Sequence, residues 1–372
     1  MGQQVKRQSN IELLRIFAML FIIAHHIAVH SNFEYASNIL VVNDLWVDFI
    51  QMGGRLGVDI FVLISGYFLI TTSTLKVSKV AKLWLQLCTY SVAMYFFFVF
   101  LGEESFSIGE LLGRFAPITN PFWWFARTYF ILVLLSPYIS AMLRSLAKNV
   151  YRNMLILMTV IWCLLPTFLL DEMESNQLIW FVYLYALAGY IRLHFDVSSI
   201  RSRIWFLIAL GSILLTYVLA LAMEALGVPS VLDPHTFEYF YDMQKLPILV
   251  IAVSLFAGFL SWDIGCSKAV NFISAATFGV YMLHDYSDMR GFLWSTVFHN
   301  EQFTNSGWLI PYTILQTVVV FAACAGIELV RIYLVEKRYV KCLTRLDAKG
   351  FFQQRTWKDR ADADLRELNK DA

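Results

Sequence analysis

The chain has 372 residues and a net charge of +1; 58% of its residues are hydrophobic and only 15% are charged. Soluble domains are roughly 45–50% apolar and about 25% charged, so this composition excludes an ordinary soluble domain and indicates an all-α, polytopic membrane protein. The net charge says little about partners, because opposite charges are segregated along the chain, and we expect no nucleic-acid partner. The five cysteines show no CxxC or Cys/His spacing, so neither disulfides nor a metal site are predicted.

Hydropathy predicts about ten transmembrane helices of ordinary length. We place them at 11–31, 49–71, 80–101, 122–143, 153–170, 177–193, 204–225, 244–262, 270–294 and 309–333. Lysine and arginine recur in every second connection, and acidic residues in the others, so the positive-inside rule orients both termini towards the cytoplasm. The predicted domains are a transmembrane unit, 1–335, and a cytoplasmic charged tail, 336–372.

Two connections have distinctive sequences. The connection 102–121 contains SIGELLGRFAP, which predicts a short interfacial helix. The connection 226–244 contains HTFEYFY, a composition suited either to contacting a sugar or to an aromatic belt at the membrane interface.

The first span carries ionisable residues, which are costly in a membrane unless they are paired or hydrated. In NIELLRIFAMLFIIAHHIAVH, the side chains of Glu12, Arg15, His26 and His30 fall on or near one face at ~100° per residue. Arg15 and His26 are separated by roughly 16 Å along the helix axis. This arrangement favours a functional polar face; the structural alternative is a hydrated seam that only holds a helix bundle together.

Three later spans carry candidate supporting residues. In the second, Arg55 and Asp59 are spaced i,i+4 and can pair on one face, and a structural pair is favoured over direct chemistry. In the fourth, Arg127 lies one turn deep and needs a partner such as Asp59 or a bound anion. In the ninth, three residues at i,i+3 and i,i+4 spacing are expected to converge near the outer face: Tyr281, His284 and Asp285.

Small and aromatic residues predict how these spans pack. The second span has four glycines that permit close approach of another helix: Gly53, Gly54, Gly57 and Gly66. Trp123 and Trp124, at the outer end of the fourth span, are typical of interfacial anchors.

Lysines recur at every third position in TLKVSKVAKLW, on the predicted cytoplasmic side: Lys76, Lys79 and Lys82. They satisfy the positive-inside rule, or they form a landing site for a phosphate-rich cytosolic ligand, since clustered cations attract polyanions. Arg15 lies at the same surface and offers a guanidinium fork suited to phosphate.

Four motifs, in this order, resemble those of membrane acyltransferase family 3, whose members transfer acyl groups to cell-surface glycans. They are NIELLRIFAMLFIIAHH, LGVDIFVLISGYFLI, FWWFARTYFILVLLSPYI and FGVYMLHDY, and the last two are similar to patterns of its polysaccharide O-acetyltransferase branch. The first-helix hallmark of the family is an arginine and a histidine with ten residues between them, preceded by an acidic residue; Glu12, Arg15 and His26 match it. Where some relatives have two arginines after the second helix, this chain has the three lysines.

The resemblance implies an O-acetyltransferase of the bacterial plasma membrane that uses acetyl-CoA as co-substrate, without a bound cofactor, and acetylates an exopolysaccharide or lipid-linked glycan of the cell envelope. It implies catalysis by His26, as general base or as acyl-accepting nucleophile, with Glu12 and Arg15. Arg15 and the lysines would bind the donor. The residues expected to hold the acceptor or support the site are Arg55, Asp59, Arg127, Tyr281, His284 and Asp285. Membrane lipid is a further expected partner, and a homo-oligomer stays open.

Buried histidines also suit a different class of protein, a proton-coupled transporter or flippase of a glycan-related substrate. Such a protein would show proton-linked flux without any acetyl donor. No internal repeat is evident in the sequence, which weighs against this alternative. A weaker alternative is a membrane sensor with a signalling tail.

Overall fold

The computed structural model describes residues 8–33, 41–72, 76–119, 122–169, 173–225 and 236–348. These residues form helices and no strands, which confirms the all-α class for the described part of the chain. The helices are α1 (Ser9–His30), α2 (Val42–Gln51), α3 (Gly53–Leu69), α4 (Val77–Leu101), α5 (Ile108–Gly113), α6 (Trp124–Ser145), α7 (Lys148–Thr159), α8 (Leu165–Phe168), α9 (Gln177–His194), α10 (Ser202–Ala225), α11 (Leu246–Ser261), α12 (Lys268–Ser274), α13 (Thr277–His284), α14 (Ser287–Gly291), α15 (Leu309–Arg331) and α16 (Lys337–Ala348). π-helical turns, Val160–Leu164 and Ile332–Glu336, join α7 to α8 and α15 to α16.

Seven helical runs among the described residues are long and apolar enough to cross a membrane. They are Ser9–His30, Val77–Leu101, Trp124–Ser145, Lys148–Phe168, Ser202–Met223, Tyr239–Ser261 and Leu309–Arg345, and each coincides with a predicted span. Two other predicted spans correspond to α3, which has 17 residues, and to α9, whose 18 residues include polar groups at both ends. The multi-pass helical architecture is therefore supported, whereas the count of ten spans is not confirmed and the orientation of the termini stays a prediction.

The predicted ninth span, 270–294, is wrong as a single helix. Its residues are divided among α12, α13, α14 and a π-helical turn. The run of helix breaks at Tyr286, whose backbone is extended (φ −63°, ψ 140°). This side chain is fully buried: its ring stacks on Phe98 and Phe122, and its hydroxyl accepts from Nη1 of Arg114 at 2.5 Å. The packing of this one aromatic ring in the interior interrupts the span, and hydropathy does not report such packing.

The first helix, α1, is the centre of the bundle: it packs against α2, α3, α11, α12, α13, α14 and α15. Its closest neighbour is α3, as the glycines predict. A Cβ added at Gly57 would lie 2.6 Å from the carbonyl oxygen of Ala18, and one at Gly54 would lie 2.3 Å from the ring of His25. Only glycine permits this approach, which leaves the polar face of α1 against α3 on one side and α13 on the other.

The short helix expected in SIGELLGRFAP is α5, and it begins after Ser107, whose hydroxyl accepts from the backbone N–H of Glu110. The predicted aromatic loop and the predicted tail fall only partly on described residues. Residues 226–235 of the predicted aromatic loop, and 349–372 of the tail, lie outside the described residues. The helical run that begins at Leu309 continues to Ala348, across the predicted domain boundary after residue 335.

Candidate active site

Two cavities lie along the polar face of α1. The His26 cavity has a volume of about 200 Å³, and its lining includes His26, His30 and Asp285. The Arg15 cavity has a volume of about 470 Å³, and its lining includes Arg15 and Lys82. The two residues that the sequence places on one face of α1 therefore open onto cavities inside the bundle.

Hydrogen bonds determine which ring nitrogen of His26 carries a hydrogen. The Nδ1 of His284 lies 2.7 Å from the carbonyl oxygen of Val280. Because a carbonyl oxygen only accepts, this Nδ1 carries a hydrogen, and the Nε2 of a neutral His284 is an acceptor. The Nδ1 of His26 lies 2.9 Å from that Nε2 and donates to it. Neutral His26 therefore keeps its lone pair on Nε2.

The free Nε2 of His26 faces the carboxylate of Asp285. Nε2 and Oδ1 are 3.4 Å apart, longer than the ~2.7–3.2 Å of a formed N–H···O bond, which agrees with two acceptors that have no hydrogen between them. Oδ1 accepts from Nε of Arg290 at 2.8 Å. When Nε2 of His26 takes up a proton, the resulting imidazolium therefore lies next to a carboxylate that Arg290 already holds in place.

The end of α13 positions this carboxylate. Asp285 directly follows the last residue of the helix, and its backbone N–H donates to the carbonyl of Tyr281 at 3.1 Å. The same helix is fixed by Trp123, whose Nε1 donates to the carbonyl of Met282 at 3.1 Å. Trp123 is only 2% exposed, so its prediction as an interfacial anchor is wrong: it is a buried support of the site.

The predicted convergence of Tyr281, His284 and Asp285 is found. Tyr281 and Asp285 line the His26 cavity, and His284, which is not part of that lining, contacts Nδ1 of His26. The buried hydroxyl of Tyr281 lies beside the carboxylate of Asp285 and the backbone of Phe125. Its donation to a substrate oxygen in the cavity would compete with these two neighbours.

At the other end of α1, Arg15 pairs with Glu12 as expected, with 3.2 Å between Nη1 and Oε2. Oε2 of Glu12 also accepts from the hydroxyl of Ser274 at 2.6 Å, which ties α1 to α12. The Arg15 side chain is 30% exposed, so part of its guanidinium is open to a ligand in the Arg15 cavity.

Of the three predicted donor-binding lysines, one reaches the cavity. Lys82 lines it and pairs with Glu336 of the π-helical turn after α15. Lys76 and Lys79 are exposed at the start of α4 and line neither cavity. Their predicted role in binding the donor stays a prediction; as exposed cations they can attract a polyanion.

The predicted Arg55–Asp59 pair is wrong. Asp59 is fully buried, and its Oδ1 accepts from Nε1 of Trp180 at 2.9 Å. Arg55 instead lies 3.9 Å from Asp242, with its guanidinium 5.5 Å from the ring centroid of Trp124. The spacing correctly places both residues on adjacent turns of α3, but the packing of α9 against α3 supplies Asp59 with a different partner.

The predicted contact of Arg127 with Asp59 is also wrong. Arg127 is exposed and lines neither cavity. Its supporting role stays a prediction that no contact among the described residues favours. Arg55, by contrast, does line the His26 cavity.

Among the charged and imidazole side chains that line the His26 cavity, sequence reasoning did not assign three to the site. They are His25, His30 and Arg290. Arg290 had a readable signal, since it follows Asp285 by five residues within one predicted span. Ligand atoms of His26, His30 and Asp285 lie within 4.8 Å of one another, so these side chains could also hold a metal ion. The expected absence of a metal stays a prediction.

Comparison with known proteins identifies a family. A family model described as an acyltransferase domain matches residues 8–328. No curated protein and no solved structure matches the chain. The matched range includes both cavities except for the residues of the π-helical turn after α15.

Proposed function

The chain belongs to membrane acyltransferase family 3, and on that premise we propose that it transfers an acetyl group from cytosolic acetyl-CoA to a hydroxyl of an extracytoplasmic polysaccharide or lipid-linked glycan. We propose the bacterial plasma membrane as its location. Neither the described residues nor the family match favours the alternative of a proton-coupled transporter.

One observation supports this proposal: two candidate site residues on a single helix line two cavities that share a wall. Arg15 lines one cavity and His26 the other, roughly 16 Å apart by the helical rise. A donor with an anionic head and a long arm that ends in a thioester fits this arrangement. The head would bind at Arg15 while the arm carries the thioester towards His26, and CoA has this shape.

The donor head would exchange existing ion pairs for phosphate contacts. Arg15 is paired with Glu12, and Lys82 with Glu336, so both cations are neutralised in the structure described here. A guanidinium fork matches phosphate oxygens in two-point contacts, and Lys82 supplies a further point charge. The exposed lysines at the start of α4 would raise the local concentration of such an anion.

At the other end, Nε2 of His26 would act as the general base. It accepts the proton of the acceptor hydroxyl, whose oxygen attacks the thioester carbonyl; the C–O bond forms, the C–S bond breaks, and the imidazolium returns the proton to the leaving thiolate. General-base help is typically worth about 10²–10⁴-fold in rate. Asp285, 3.4 Å from Nε2, would stabilise the imidazolium while it exists.

Transfer through an acyl-histidine is the second route. The lone pair of His26 would attack the thioester, release CoA, and pass the acetyl group to the hydroxyl in a separate step. Direct transfer fits the geometry better, because an acetyl group on Nε2 would be crowded by Asp285 at 3.4 Å. A burst of CoA release without any acceptor, equal in amount to the enzyme, would favour the acyl-histidine.

The test is mass spectrometry of surface glycans from cells that carry the wild type or His26→Asn. Asparagine keeps a donor near the position of Nδ1, and so the bond to His284, but has no base at the position of Nε2. We expect the acetyl increment to be lost in this variant and kept in His194→Ala, a histidine that lines neither cavity. Acetylated glycans at the wild-type level from His26→Asn would refute the catalytic assignment.

A further inference from the structure

Three phenylalanines form the wall between the two cavities. Among all described lining residues, Phe61, Phe125 and Phe278 are the ones common to both. They come from three different helices, α3, α6 and α13. We call these three residues the phenylalanine collar.

The collar rings are packed together by aromatic neighbours on both sides. The ring centroids of Phe61 and Phe125 are 6.3 Å apart. On the Arg15 side, Tyr129 stacks on Phe125 at 5.7 Å and lies 6.2 Å from Phe278. On the His26 side, Tyr281 lies 5.5 Å from Phe125 and 6.3 Å from Phe278. The wall is therefore aromatic through its thickness.

The collar differs chemically from the lining on either side of it. Arg15 and Lys82 mark the Arg15 cavity, and His26 and Asp285 the other cavity. The collar itself offers no charged group and no side-chain hydrogen-bond partner. A thioester that travels from the Arg15 cavity to Nε2 of His26 passes these rings, with its acyl group leading.

Resting on the function proposed above, we propose that the phenylalanine collar selects acyl groups by their cross-section. An unbranched acyl chain has nearly the same width at any length, whereas a branch at the carbon next to the carbonyl widens it. Aromatic rings in a packed interior can move apart only slightly. A wider group that passes between them has to displace neighbouring side chains, which costs free energy. The collar would therefore pass acetyl and other straight acyl groups and reject branched ones, while the volume of the His26 cavity limits length.

Two isomeric donors separate width from length. Butyryl-CoA and isobutyryl-CoA have the same atoms but differ in branching. The measurement is transfer of each radiolabelled acyl group, and of acetyl, to glycan in membrane vesicles that contain the endogenous acceptor. The wild type should prefer butyryl to isobutyryl by about 10-fold or more, the scale on which one misplaced methylene is discriminated in an apolar site.

Phe61→Ala and Phe278→Ala are the informative variants, because both side chains are only half-buried. Each should raise the isobutyryl-to-butyryl ratio about 10-fold, while acetyl transfer stays within about threefold of the wild type. The matched control is Phe100→Ala, a phenylalanine that is 88% exposed and lines neither cavity. If an alanine variant does not fold, Phe278→Leu replaces it, because leucine keeps most of the side-chain volume. This variant should raise the isobutyryl-to-butyryl ratio by a smaller factor.

The outcomes are distinct. Unchanged ratios with acetyl transfer intact would overturn the collar but leave the proposed function standing. Equal gains for both isomers would also overturn it, because they would show selection by length. Loss of acetyl transfer in folded collar variants would make the rings part of donor binding and would likewise overturn it. A wild type that transfers no acyl group would instead contradict the proposed function itself.

Discussion

Two hydrogen bonds, from His284 to the carbonyl of Val280 and from His26 to His284, set the tautomer of His26. We call them the tautomer chain, and replacing His284 by leucine tests it. In the wild type, the Nδ1–H of His26 donates to Nε2 of His284 at 2.9 Å, and Nε2 of His26 is left free. Without that acceptor, the favoured tautomer has the hydrogen on Nε2, where it can bond to the carboxylate of Asp285. A hydrogen bond to a charged group is worth about 1.5–3 kcal/mol, so the active tautomer, and with it kcat, should fall by about 10–160-fold.

The assay is incorporation of [¹⁴C]acetyl from acetyl-CoA into glycan by membrane vesicles, with the melting temperature of each purified variant measured alongside. Two results distinguish a positioning role from general damage. His284→Gln, which restores an acceptor, should recover about tenfold over His284→Leu. Asp285→Asn should cost less in the H284L background than alone, because the carboxylate then stabilises the wrong tautomer. A folded leucine variant within twofold of the wild-type rate would refute the tautomer chain.

Three further predictions address other parts of the site. Asp285→Asn alone should lower kcat about 10–160-fold, because the imidazolium loses a charge-assisted partner; initial rates in the same vesicles measure this, and an unchanged rate would contradict it. Arg15→Lys should raise the KM for acetyl-CoA about tenfold with little change in kcat, because a lysine cannot make two-point phosphate contacts; a fall in kcat alone would count against donor binding. Gly54→Ala should cost about 1–3 kcal/mol of stability, since the new Cβ would lie 2.3 Å from the ring of His25; thermal unfolding in detergent measures this, against Gly211→Ala as control, where the Cβ meets nothing within 4 Å.

The helical fold and the polar face of α1 follow from sequence because both depend on local periodicity. Apolar runs of membrane length are visible in hydropathy. The alignment of Arg15 with His26 needs only the pitch of a helix, and α1 is continuous from Ser9 to His30. Spacing within one element was therefore a reliable guide to which side chains share a face.

Partners from different helices were not predictable in this way. The i,i+4 spacing of Arg55 and Asp59 is compatible with a pair, but Trp180 of α9 occupies the carboxylate instead. The break at Tyr286 likewise depends on Arg114, which is distant in sequence. The collar has no sequence signal, since its three phenylalanines are separated along a chain that contains 31 of them.

Under the proposed function, the short helix α13 would link the two cavities along the polar face of α1. Arg15 and His26 lie on one continuous helix, α1, which sets their separation along its axis. Opposite α1, α13 ends at His284, which places Asp285 beside His26. Phe278 lies at the collar, about two helical turns before Asp285. This short helix carries the orienting histidine and part of the collar, and the carboxylate directly follows its last residue. Any movement of α13 that opened the collar would also disturb the His284–His26 bond. The tautomer of His26 and the position of Phe278 would therefore change together if α13 moved.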